Sequence, residues 1–240
     1  MSDMSREDLL GLAGRVVMIT GAGRGFGRSI ALAYGRNRAT VITVDPDVEL
    51  ATAAASAVEE LGGTAIPIRG DMSVGLDVAT TFEKIEELYG MLDGIVHVTH
   101  TVSQTPFVEL LESEWYELLN SDVKSSLYTL QQGLRYLAGG GFVVVVMPPA
   151  NNTEPHVASV RGAMRGLIEG ASHVYPQTVR VNGIIPSREA AGEEYDQPLA
   201  RAVVALGSTV SEGLHGEVVR VDLPEPPQPP DLYDVLSELP

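Results

Sequence analysis

The chain contains no cysteine in its 240 residues. That excludes disulfides and thiolate sites, and it suits a cytoplasmic protein. Lysine is scarce as well, with Lys84 and Lys124 the only two. Basic residues number 16 against 32 acidic ones, for a formal charge of −16. Nucleic acid and anionic membranes both need a basic footprint, so neither is expected as a partner. A solvated surface of biased composition accounts for the acidity itself. No apolar run approaches the roughly 18 residues of a membrane span. The opening stretch MSDMSREDLLGLAG is acidic and lacks an apolar h-region, which predicts no signal peptide. A cytoplasmic protein, soluble and without a membrane anchor, is the expectation.

What is present is a core. Hydrophobic residues make up 44% of the chain. Short apolar runs rich in β-branched residues occur at 15–20, 40–44, 64–68, 94–98, 142–147, 178–184 and 217–221. They are nearly continuous rather than alternating, the mark of strands buried on both faces of a parallel sheet. Helical patterns fall between them, near 26–36, 47–61, 75–89, 113–137, 157–174 and 196–205. This alternation predicts a single α/β domain, a doubly wound parallel sheet of about seven strands flanked by helices. Residues 1–222 form that domain and 223–240 a proline-rich, acidic tail. Its prolines forbid helix over 224–230, and its acidic, apolar end either docks or stays loose.

One stretch carries chemistry by its context. TGAGRGFG, Thr20 to Gly27, follows a buried strand and opens a helix. Gly21 permits the tight turn, Gly25 lets backbone approach a pyrophosphate, and Gly27 is expected to let the helix pack on the sheet. Exposed amides and the positive helix end favour an anion there. Asp45 ends the second strand, where a carboxylate accepts from ribose hydroxyls and repels a 2′-phosphate; capping of the next helix is its other reading. Arg24 would welcome that phosphate, so the two signals oppose, and Asp45 tips the balance to NAD(H).

These residues resemble the short-chain dehydrogenase/reductase family, in its single-domain Rossmann form, over residues 10 to 222. The likeness rests on Thr20, Gly21, Gly25 and Gly27 with Phe26 between them, on Asp45, on GDMS at 70–73, on RVNGIIP at 180–186 and on GEVVRVD at 216–222. It implies an adenine contact at Asp71 beside Met72, and NAD as cofactor.

The resemblance stops at the catalytic positions. The family's NNAG motif falls on His97, Val98, Thr99 and His100. Its long-helix asparagine falls on Asp122, its serine on Met147 or Pro148, and its tyrosine and lysine on Val157 and Arg161. Valine has no proton to give. Arginine is always charged and relays none, though it can still hold a ribose. General acid–base help of the missing kind is worth about 10²–10⁴-fold, or roughly 3–5 kcal/mol of barrier. The segment from Pro186 to Gly213 is also short for the family's substrate-covering loop.

His100 and His156 are the substitute acids the pocket offers, with Asp122 to orient one of them. The same three residues match no recognised ligand spacing, so no metal is expected. Leu118, Leu119, Val123, Leu127, Leu130 and Leu134 stripe the long helix, and small residues at 158, 159, 162, 163 and 166 of the next would permit close approach. In the family these two helices form the subunit interface. The favoured reading is an inactive subunit in a homo-oligomer, or a hetero-oligomer with an active homologue, among them hydroxyacyl-CoA dehydrogenases. The alternatives are an NAD-dependent oxidoreductase using His100 or His156, and an NAD(H)-sensing regulatory module.

Overall fold

The structure, a computed structural model, describes residues 10–99, 103–174 and 179–227. Seven strands form one sheet: β1 (Val16–Thr20), β2 (Thr40–Asp45), β3 (Thr64–Arg69), β4 (Leu92–Val98), β5 (Leu137–Val146), β6 (Val179–Pro186) and β7 (Val218–Val221). Their order is β3-β2-β1-β4-β5-β6-β7, and every pairing is parallel. The expected doubly wound sheet is the observed one.

Among the described residues seven α-helices cover its faces: α1 (Gly25–Arg36), α2 (Val48–Glu60), α3 (Gly75–Tyr89), α4 (Glu112–Leu118), α5 (Ser125–Tyr136), α6 (Pro155–Val174) and α7 (Glu193–Gly207). Successive strand residues point to opposite faces, so each strand feeds two cores. Val17 and Ile19 join α1, α2 and α7 in one layer. Met18, between them, joins α3, α5 and α6 in the other. That double burial is why the strands read as continuous apolar runs.

The helix expected over 113–137 is not uniform. A π-helical turn, Leu119–Lys124, separates α4 from α5. Its carbonyls are shared with hydroxyls: Ser126 Oγ donates to the Asp122 carbonyl at 2.6 Å, and Ser125 Oγ donates to the Ser121 carbonyl. Such back-bonding competes with the regular ladder and loosens the turn. The apolar stripe splits accordingly. Leu118 and Leu130 are buried, whereas Leu127 is exposed.

The connection from β6 to α7 is fastened by a buried ion pair. Arg188 Nη1 lies 3.3 Å from Asp196 Oδ1, and Asp196 is fully buried. Arg188 also donates to the carbonyls of Pro224 (2.8 Å) and Tyr195 (3.0 Å). Asp196 accepts from the amides of Ala191 and Gly192 at 3.0 and 3.2 Å. The segment is pinned from within. No helix among the described residues is long and apolar enough to cross a membrane. Removing one partner of such a pair leaves the other charge buried and uncompensated. Arg188→Ala is expected to lower the unfolding free energy in urea by about 3–5 kcal/mol; a loss below about 1 kcal/mol would show that the pair carries little.

Candidate functional site

The sheet reverses its winding between β1 and β4, and a crevice at the carboxyl ends of these strands is where such folds take ligands. The glycine loop lies there. Gly21 and Gly25 have φ of +61° and +52°, the left-handed region that glycine adopts without strain. At Gly27 a Cβ would stand 1.9 Å from the Gly21 carbonyl oxygen. The third glycine therefore lets the helix close on its own loop, not on the sheet as expected. Arg24 forms the N-cap of α1 without a side-chain bond and is exposed, and the first turn holds no acid. The amides at this helix end stay open to an anion.

Asp45 is buried and acts on the loop. Its Oδ2 accepts the Gly23 amide at 3.0 Å and its Oδ1 the Asp47 amide at 3.1 Å. Asp47, not Asp45, caps α2. At the end of β3, Asp71 Oδ1 accepts the amide (2.8 Å) and hydroxyl (2.7 Å) of Ser73, while the Asp71 amide donates to Asp77. Met72 is buried in the layer beneath. The fold thus brings Thr20, Gly21, Arg24, Gly25, Phe26, Gly27, Asp45, Asp71 and Met72 to the carboxyl ends of three neighbouring strands.

His97 is buried on β4, next to the start of the glycine loop. Thr20 Oγ1 accepts the Val98 amide at 3.2 Å and stands 2.8 Å from His97 Nδ1. With its oxygen accepting, the hydroxyl proton is free to go to Nδ1. That leaves the Nε2 proton to donate to Ser125 Oγ at 3.0 Å, and Ser125 donates onward to the Ser121 carbonyl of the π turn. Thr129 Oγ1 lies 3.3 Å from the same Nδ1. Burial pushes the imidazole pKa down to about 4. The ring is neutral at neutral pH and binds β1, β4 and α5 together.

Around α6 the residues are apolar or occupied. Met147 and Pro148 are buried where β5 ends, and the Met147 amide donates to the Ile184 carbonyl at 2.9 Å. Val157 is buried, and so is Asp122 in the π turn. Arg161 donates through both Nη atoms, to the carbonyls of Pro149 and Asn152, each at 2.8 Å. Burial lowers its pKa from the usual arginine value. Those Nη atoms fasten the β5–α6 loop. His156 is buried, 2.9 Å from Ser103 Oγ through Nε2 and stacked against Phe107. His100 lies outside the described residues. Among those residues no three His, Cys, Asp or Glu side chains are grouped to hold a metal.

Residues 15–190 match the family described as short chain dehydrogenase. The chain belongs to that family. A 3beta-hydroxysteroid dehydrogenase of Mediterraneibacter gnavus is 29% identical over 161 residues, covering 67% of this chain but only 54% of that protein. A hydroxynaphthalene reductase-like protein Arp2 of Metarhizium anisopliae is 28% identical over 192 residues, 76% of this chain and 71% of the relative. Among solved structures, a hydroxysteroid dehydrogenase from Escherichia coli superposes with TM-score 0.81 at 22% identity, over 90% of this chain and 98% of the other. A short-chain type dehydrogenase/reductase from Mycobacterium marinum gives 0.82, also at 22% identity, over 91% and 98%. These two likenesses show the fold. Family membership makes this an oxidoreductase fold for which a nicotinamide nucleotide is the implied cofactor.

The sequence alone does not mark both His97 and the Arg188–Asp196 pair as structural anchors. The first carries a readable signal, a lone histidine inside the apolar run GIVHV, which folding must bury with both nitrogens satisfied. The pair carries none, because only tertiary folding reveals that both charges are buried. The His97 shift also makes a stability statement. The folded pKa lies below the unfolded one near 6.5, so as pH falls the unfolded chain takes the proton first. Stability is therefore lost from about pH 6.5 down to about pH 4, by as much as about 3 kcal/mol from this group. Unfolding measured across that range should fall more steeply for the native chain than for His97→Asn; parallel slopes would defeat the assignment.

Proposed function

We propose that this chain binds NAD(H) in the crevice and is a catalytically silent subunit of a short-chain dehydrogenase, paired with itself or with an active homologue. The observation that carries the reading is the state of α6 and the loop before it. Val157, at the position matching the family's tyrosine, has no ionisable group. Arg161, at the lysine position, directs both Nη atoms to backbone carbonyls. Met147 and Pro148, where the serine would stand, offer a substrate oxygen no donor. Without such acid–base help the barrier rises by roughly 3–5 kcal/mol. The glycine loop and its open helix end meanwhile retain what a pyrophosphate needs.

NAD(H) is favoured over NADP(H) by Asp45, a buried carboxylate at the end of β2 whose described bonds are to backbone amides, not to a cation. In calorimetric titration NAD(H) should bind more tightly than NADP(H), and Gly25→Val should abolish the heat. The protein alone should transfer no hydride to or from secondary alcohols, ketones, hydroxysteroids or hydroxyacyl-CoA esters. Tighter NADP(H), or turnover that disappears in His156→Ala, would overturn this; the latter outcome would establish the enzyme reading with His156 as acid.

Assembly follows from the outer face of α5 and α6. Leu127 is 44% and Val174 69% exposed, and Leu134 and Leu167 are only partly covered. Gly162, Gly166 and Gly170 have open space where a Cβ would point. A face so apolar and smooth admits close approach of helices from a second subunit, which a monomer leaves wet. The partner we would test first is an active homologue of the hydroxyacyl-CoA type. Light scattering at micromolar concentration should report a dimer or tetramer, and Ala163→Glu should split it by placing an unpaired charge in the contact. A stable monomer, with or without the partner, would rule the assembly out.

A further inference from the structure

A second cavity lies away from the glycine loop. It sits between the beginnings of α4 and α6, has a volume of about 410 Å³ and is lined by Phe107, Leu110, Leu111, Trp115, His156 and Ser159. That size falls within the range of small-molecule sites. None of the crevice residues borders it. Val157, the next residue along α6, is buried, whereas Ser159 is exposed at the rim.

His156 makes this more than a dent in the surface. Its ring is buried and Nε2 pairs with Ser103 Oγ, but Nδ1 makes no hydrogen bond. Leaving a buried polar atom unpaired costs about 1–3 kcal/mol. Phe107, Leu110, Leu111 and Trp115 make most of the wall apolar, with Glu112 and Ser159 the other polar side chains that line it. Phe107 lies nearly parallel to the imidazole, with centroids 6.2 Å apart, yet is 52% exposed. It can turn aside without losing a buried place.

We propose that this cavity binds a small, uncharged, phenol-like molecule, with its hydroxyl on His156 Nδ1 and its ring among Leu110, Leu111 and Trp115. The hydroxyl is selected by the histidine. Ser103 Oγ is able to donate to Nε2 or accept from it, so Nδ1 is a donor in one tautomer and an acceptor in the other. A hydroxyl answers both. The apolar walls call for a ring or similar hydrocarbon body, and Glu112 on the rim disfavours carboxylates and phosphates. The proposal stands whether or not the crevice holds NAD(H).

Trp115 is the only tryptophan in the chain, so its emission reports on this cavity alone. The probes are p-cresol and p-xylene, which match in shape and differ in the hydroxyl. We expect p-cresol to shift Trp115 emission saturably and p-xylene to bind roughly two- to tenfold more weakly, the worth of one neutral hydrogen bond. His156→Phe should erase that preference. Ser159→Phe, at an exposed position, should fill the cavity and suppress the response to both probes with the far-ultraviolet circular dichroism spectrum unchanged. NAD(H) at saturation should leave the p-cresol curve where it was. The proposal is overturned by a flat response to p-cresol, by a preference that survives His156→Phe, by a response that survives Ser159→Phe, or by competition with NAD(H).

Discussion

The hydrogen bond between Thr20 and His97 crosses the sheet where its winding reverses, and much of the site depends on it. Parallel strands at such a point have helices leaving on opposite faces, so the carboxyl edge is the least supported part of the sheet. Here the buried imidazole spans that gap. One nitrogen meets the hydroxyl that begins the glycine loop, and the other meets Ser125 next to the π turn. The loop conformation, the β1–β4 register and the irregular turn of the long helix are held by one neutral ring. Burial away from water disfavours the charged form of the ring and holds its pKa low.

Charge at this edge is used on backbone more than on other side chains. Asp45 holds the Gly23 amide, Arg161 holds two carbonyls of the β5–α6 loop, and Arg188 with Asp196 holds the β6–α7 connection and Pro224. A charged group that ties down irregular backbone satisfies atoms the sheet and helices cannot reach. The three loops that border the crevice are fastened from beneath as a result.

His156 and Arg161 show how neighbouring positions on one helix divide their work. Arg161 is consumed by the loop beneath it, while His156 keeps one nitrogen unpaired beside an apolar cavity. Retaining a polar atom at such cost within apolar surroundings is a usual sign that something else completes it. The exposed apolar side chains of α5 and α6 are a separate matter of area rather than of chemistry.

Much of this molecule was legible in its residues. Continuous β-branched runs announced a sheet covered on both faces, because only burial on two sides tolerates that many apolar neighbours. Strand and helix periods placed nearly all the elements, and TGAGRGFG located the crevice, since a strand, a tight turn and a helix leave few other uses for three glycines so spaced. The sequence could not say where long polar side chains end up. Arg161 reads as a free cation but folds onto carbonyls, Asp45 grips the loop it was expected to serve, and Gly27 packs against Gly21 rather than the sheet. Those outcomes turn on contacts within about 3 Å that fix how each side chain and turn closes, and only the folded backbone sets that geometry.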